Sequence, residues 1–174
     1  MSAANWVASE AQIGIQPIET YDTTQNHGLG KIIRAKHATY GDSELIYCQF
    51  PASTAFALGI LVQWDKNFLV ATVPAGSSSK NTGYAVGTLL TAVTSNTSIQ
   101  YGWVHVRGVA PVLKTGVAVP PQSDLYMSAT AGRVYVTAST GKQLVGARAA
   151  NTATVIISTS TVSVHFNPAA LQGK

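Results

Sequence analysis

The chain has 174 residues, and only 10% of them are charged, against roughly a quarter in ordinary soluble domains. That length suits a single domain able to bury a core without disulfide staples. The net charge of +4 is scattered rather than gathered on one face, which argues against direct nucleic-acid binding, and the longest apolar stretch, Phe50 to Trp64, is broken by Pro51, Ser53, Thr54 and Gln63, short of the ~18–20 residues of a membrane helix.

Residues 1–30 are polar, with Pro17, several glycines and no sustained hydrophobic period. They are expected to form an extended arm. Fully stretched, about 30 residues reach ~100 Å, enough to touch a neighbouring subunit. Within the arm, Trp6, Ile13, Ile15, Pro17, Ile18 and Tyr21 are the candidate contact residues, the other outcome being that they fold back on their own domain. No Lys or Arg and no continuous apolar segment occurs in this region, so no secretory leader is expected.

From Lys31 onward, β-branched and aromatic residues alternate with polar ones between closely spaced turn signals. The expected strands are 31–37, 44–50, 58–64, 68–73, 84–94, 99–107, 124–129, 133–139, 142–150, 153–159 and 161–166. "DKN" at 65–67 and "TAG" at 130–132 read as hairpin turns. Residues 167–174 read as a tail. The expected architecture is all-β: a single sandwich or barrel domain, 31–166, of about ten short strands, with an extended N-terminal arm. Lys31, Arg34 and Lys36 form the one local basic cluster and are candidates for contact with an acidic protein surface. Cys48, the single cysteine, sits in an apolar run and is expected to be a small buried residue in a protein made in a reducing cytosol.

Catalytic motifs are poorly represented. "HGLGKII" contains Gly28 and Gly30, but Ile33 occupies the third glycine position, and a strand follows where a dinucleotide fold needs a helix. "STGKQ" ends like a phosphate loop, yet Val136 replaces its upstream glycine and Gln143 its Ser or Thr. His27, His37, His105 and His165 show no paired spacing, so no metal or other cofactor is expected. A Cys48–His37 pair on neighbouring strands and an Asp42–Glu44 carboxylate pair are the remaining chemical candidates. "QYGWVHVRG" at 100–108 places Tyr101, Trp103, His105 and Arg107 at every second position, the period of a strand. Tyr101 and Trp103 are expected to pack against protein on an outward or subunit-facing strand. Low charge and small polar residues fit a chain that works packed against copies of itself or a partner.

Residues 16–50 resemble the start of small tailed-bacteriophage head proteins, in which a polar arm leads into an "lG-x-I-v-x-A" strand and then a "yG-x-x-E-f-i-Y" segment. The matching residues are Leu29, Gly30, Ile32, Ile33, Ala35, Tyr40, Gly41, Glu44, Leu45, Ile46 and Tyr47. "QYGWVHVRGVAPV" (100–112) and "LYMSATAGRV" (125–134) resemble a later strand and a hairpin of the same proteins. The chain departs at His105, where a polar amide is common, and at "LIYCQF". The resemblance implies a capsid decoration or cement protein, not an enzyme. It would be made in the host bacterial cytoplasm and placed on the capsid exterior of the virion, with the major capsid protein as partner and a homo-oligomer, dimer or trimer, as the working form. The alternatives are another phage part (head fibre base, tail component or small coat protein) and a small β-barrel ligand binder or enzyme.

Overall fold

The computed structural model describes residues 6–9, 14–76 and 83–172. Among these there is no helix. Eleven strands form one antiparallel sheet that does not close into a barrel. They are β1 (Trp6–Ala8), β2 (Ile32–His37), β3 (Gly41–Phe50), β4 (Leu61–Trp64), β5 (Val70–Thr72), β6 (Ala85–Thr88), β7 (Gln100–Leu113), β8 (Asp124–Met127), β9 (Val134–Tyr135), β10 (Gln143–Ala149) and β11 (Thr161–Leu171). The order across the sheet is β1-β2-β3-β7-β6-β11-β10-β8-β9; β11 also pairs with β7, and β4 joins β6 to β5.

The centre is the pair β3 and β7. Their registers run from Glu44↔Arg107 to Phe50↔Gln100. Both strands are apolar on both faces, so each feeds two cores. Leu45, Tyr47 and Trp103 enter the first, with Phe166, Val164, Leu125 and Leu144. Ile46, Cys48, Phe50 and Val104 enter the second, with Phe56, Val62, Val70, Leu89 and Val93. Residues 56–70 and 89–93 thus cover part of the second face. A strand buried on both sides reads as a continuous apolar run, and "LIYCQF" is one. β2, nearer the edge, alternates: Ile33 and Ala35 point inward, Ile32, Arg34 and Lys36 outward.

The hairpin readings agree with the structure. Asp65 Oδ1 accepts the backbone N–H groups of Asn67 and Leu69 at 2.8 and 3.0 Å and closes the β4–β5 turn. "TAG" joins β8 to β9, with Gly132 at φ +70°.

Several strand bounds differ from expectation: β4 begins only at Leu61, β6 ends at Thr88, β7 runs on to Leu113 and β9 ends at Tyr135, and three larger differences concern whole segments. Residues 167–171 are not a tail: β11 continues to Leu171, and Ala169 and Ala170 pair with β6. Pro168 gives the ladder no N–H, and β10 bulges beside it at Gly146, φ +82°, where a Cβ would lie 2.6 Å from the carbonyl oxygens of Asn167 and Pro168. Residues 153–159 form no strand despite their β-branched composition. Only Val155 bridges, to Val119, and Ile156 and Ile157 stand exposed. The arm is the third. Its described part is not extended away from the domain: Trp6–Ala8 pairs with β2, and residues 14–30 lie along the sheet. No helix of the described residues is long and apolar enough to cross a membrane.

Candidate functional site

The stretch 100–108 forms the first half of β7, and the side chains around it come from elements distant in sequence. On the first-core side, Trp103 is fully buried, its ring 4.9 Å from Tyr47 and 5.3 Å from His27. Trp103 Nε1 donates to the backbone oxygen of Gln16 at 3.1 Å. Gln16 is buried and bonds through all its polar atoms. Tyr47 Oη donates to its Oε1 at 2.6 Å, its Nε2 donates to the carbonyls of Thr20 and Tyr101, both at 2.9 Å, and its backbone N–H donates to His27 Nε2 at 3.0 Å. That last bond requires His27 Nε2 without a proton. Burial and the Lys31 charge depress the His27 pKa and favour this state. One glutamine therefore clamps residues 14–30 to β3 and β7.

Gly102 is the platform for Tyr21. A Cβ at Gly102 would lie 2.3 Å from the Tyr21 ring. Tyr21 packs edge-on against Phe50 at 4.9 Å, and burial raises its phenol pKa.

At the other end of the same strand, Trp6 closes an aromatic group with His37 (4.8 Å), Tyr40 (6.1 Å) and His105 (5.6 Å). His105 is fully buried against Phe166 as well. Its Nε2 lies 3.1 Å from Ser43 Oγ. Ser43 lies beyond a slip in the β3–β7 ladder between Glu44 and Leu45, where Val106 is the extra residue on β7. Gly108 has φ +96°, and a Cβ there would sit 2.5 Å from both Asp42 O and Ser43 Oγ. The serine–histidine pair invites comparison with a nucleophile and its base. Burial, however, pushes the imidazole down to about 3, and Nδ1 has no hydrogen-bond partner among the described residues. A nucleophilic pair needs a base matched to the working pH and a third group to orient it. Here the histidine is neutral, unoriented and walled by aromatic rings, so it satisfies a buried hydroxyl.

The other chemical candidates are also separated. Cys48 faces the second core, fully buried, and desolvation raises its thiol pKa. His37 pairs with Gly41 at the far end of β3, seven residues from Cys48. Asp42 and Glu44 do share one face. They line an open groove of about 540 Å³ with Arg34, Ser43, Arg107 and His165. Glu44 is engaged there by Arg107 Nη1 at 3.4 Å. Among the described residues no group of three or more His, Cys, Asp or Glu is placed to hold a metal ion.

Of the candidate contact residues, Trp6, Ile18 and Trp103 lie in the first core and are closed to an outside partner. Ile15, Tyr21, Lys31 and Tyr101 are half-buried, whereas Pro17, Arg34 and Lys36 are exposed. Ile13 lies outside the described residues. Trp103 packs against protein, but inward, because the sheet is covered on both faces at that point. Sequence reading missed Gln16, Ser43 and Lys114. Lys114 is 1% exposed, and its Nζ donates to the carbonyls of Val117 at 2.8 Å and Ile157 at 3.3 Å, anchoring the 151–160 loop. Burial lowers its pKa.

Comparison with protein-family models, with curated proteins and with solved structures found no match.

Proposed function

We propose that the chain is a structural virion protein: a decoration protein that binds the outer surface of an icosahedral phage capsid as a homo-oligomer and stabilises the shell. One observation carries the reading. The buried polar residues Gln16, Ser43, His105 and Lys114 bond within the fold, while charged side chains stand on an open sheet face. The residues that resemble phage head proteins serve architecture in this chain. Gly30, at φ +81°, lies under the Phe68 ring, and Ile33, Ala35, Leu45 and Tyr47 fill the first core from β2 and β3. That hairpin leaves Arg34 exposed, and Arg34 supplies the contact to acidic capsid surface. Several copies held together would engage several capsomers at once, and the raised effective concentration would hold the shell closed.

The test is co-sedimentation of the purified protein with expanded empty shells, with calorimetry of shell disruption. Wild-type protein is expected to pellet with shells and raise their disruption temperature. Arg34→Glu is expected to weaken both effects, most strongly at low salt. Failure of the wild-type protein to pellet at low salt would overturn the proposal. Equal binding by Arg34→Glu would remove this face from the contact.

A further inference from the structure

Beyond the second core, the outer face of the sheet is open among the described residues. One row of cross-strand neighbours crosses it on six strands: Lys36 on β2, Asp42 on β3, Val109 on β7, His165 on β11, Arg148 on β10 and Asp124 on β8. The registers Lys36↔Asp42, Val109↔His165, His165↔Arg148 and Arg148↔Asp124 fix its order. Asp42 and Val109 are the next outward residues beyond Glu44↔Arg107, and Asp42 and His165 line the same groove. His165 also lines a second groove, of about 320 Å³, with Arg148 and Asp124. The opposite side of the row is sealed: Ala35, Ala110, Val164, Ala149 and Leu125 belong to the first core, and Ser43 on β3 is buried. Lys36, Asp42, His165 and Arg148 are exposed.

In a chain with so few charges, the order of signs along this row is informative. It reads plus, minus, neutral, histidine, plus, minus. Reversed, it reads minus, plus, histidine, neutral, minus, plus. Each sign in one direction therefore meets its opposite in the other.

We infer that this face is a dimerisation surface for a second copy of the chain, docked about a two-fold axis running along the strands between β7 and β11. That axis sets β2 over the partner's β8 and β3 over the partner's β10. Lys36 then faces the partner's Asp124, and Asp42 faces the partner's Arg148, each pair occurring twice by symmetry. Val109 meets the partner's His165 at the centre. Within one chain Arg148 Nε bonds Asp124 Oδ1 at 2.9 Å, whereas Lys36 and Asp42 have no ion pair among the described residues. The docked copy supplies their partners and joins all four charges into one alternating network.

The size of the face sets the strength. Six strands spaced about 4.8 Å apart span about 24 Å, and four residues along a strand add about 14 Å. The resulting footprint of a few hundred Å² is below the ~800 Å² per partner of an ordinary stable complex. The dimer is therefore reversible and salt-sensitive, with a dissociation constant between about 10 µM and 1 mM. This surface supplies the oligomer that the capsid-binding reading calls for. It is tested on purified protein without shells, so the two fail separately.

The test is sedimentation velocity over a concentration series. Wild-type protein is expected to shift from monomer to dimer, and about 0.5 M salt, where the screening length falls to about 4 Å, to reverse the shift. Lys36→Glu and Asp124→Lys each place two like-charge pairs in the homodimer, and each is expected to lower association about tenfold. Mixed together they restore every pair, so the two variants are expected to associate with each other as tightly as wild type does with itself. Thermal unfolding of the dilute variants checks their folding, and Asp42→Lys mixed with Arg148→Glu repeats the design if either first variant misfolds. A wild-type protein that stays monomeric up to about 1 mM, single variants that dimerise like wild type, or a mixture that does not associate would each overturn the assignment.

Discussion

The buried imidazole of His105 makes stability depend on pH in a way that can be calculated. In the unfolded chain the ring titrates near 6.5; in the fold, burial pushes it down to about 3. Above pH 6.5 the ring is neutral in both states, and folding meets no penalty. As the pH falls below 6.5, the unfolded chain takes up a proton that the folded chain refuses, and stability is lost until the folded ring itself titrates. Each pH step between these limits costs about 1.4 kcal/mol, so about 2–3 kcal/mol is gone at pH 4.5 and at most about 5 near pH 3. The assay is urea unfolding at pH 7.5, 6.5, 5.5 and 4.5 on wild type and on Ser43→Ala/His105→Phe, which removes the titrating ring and the hydroxyl it satisfies. Carboxylates such as Asp22, held low first by the Thr24 backbone N–H, weaken both proteins alike in acid. The difference between the two curves isolates the histidine. If wild type and variant lose stability in parallel between pH 6.5 and 4.5, or if NMR shows the His105 ring titrating near 6.5 in the folded protein, the reasoning is refuted.

Gln16→Ala removes the acceptor of Tyr47 Oη and the donors to Thr20 and Tyr101, leaving buried polar groups unpaired. It is expected to cost about 2–4 kcal/mol in urea unfolding and to expose residues 14–30 to protease. Gly108→Ala meets a positive φ and carbonyl and hydroxyl oxygens at 2.5 Å, whereas Gly28→Ala meets nothing within 4 Å. The first should lower stability by about 2 kcal/mol or more and the second by less than about 0.5, compared by thermal melts. Lys114→Met keeps the length of the side chain but abandons the carbonyls of Val117 and Ile157. A loss of about 1–3 kcal/mol and faster hydrogen exchange across residues 151–160 are expected.

How much of this was legible beforehand varied with the range of the interaction that decided it. The alternation of Ile33 and Ala35 against Arg34 and Lys36 marks a strand with one buried face without knowledge of its neighbours, because successive side chains of a strand point to opposite sides. The turns at "DKN" and "TAG" were equally local. The all-β class followed from repetition of such signals. Trp6 and Gln16 were not legible in this way. They sit in a polar stretch without a period, and their burial depends on β3 and β7 offering an aromatic wall and a carbonyl row. The continuation of β11 through Pro168 was hidden because a bulge in a different strand, at Gly146, makes room for it.

By itself, then, the sequence determined an all-β chain, its main strands and hairpins, and a buried Cys48, since composition and period act within a few residues. The tertiary structure alone decided that residues 14–30 are clamped to the sheet, that Ser43 meets His105 across 62 positions, and that Lys36, Asp42, His165, Arg148 and Asp124 stand in one row. Those contacts are set by register between strands far apart in the chain. A shift of one residue in any ladder would carry its side chains to the opposite face of the sheet.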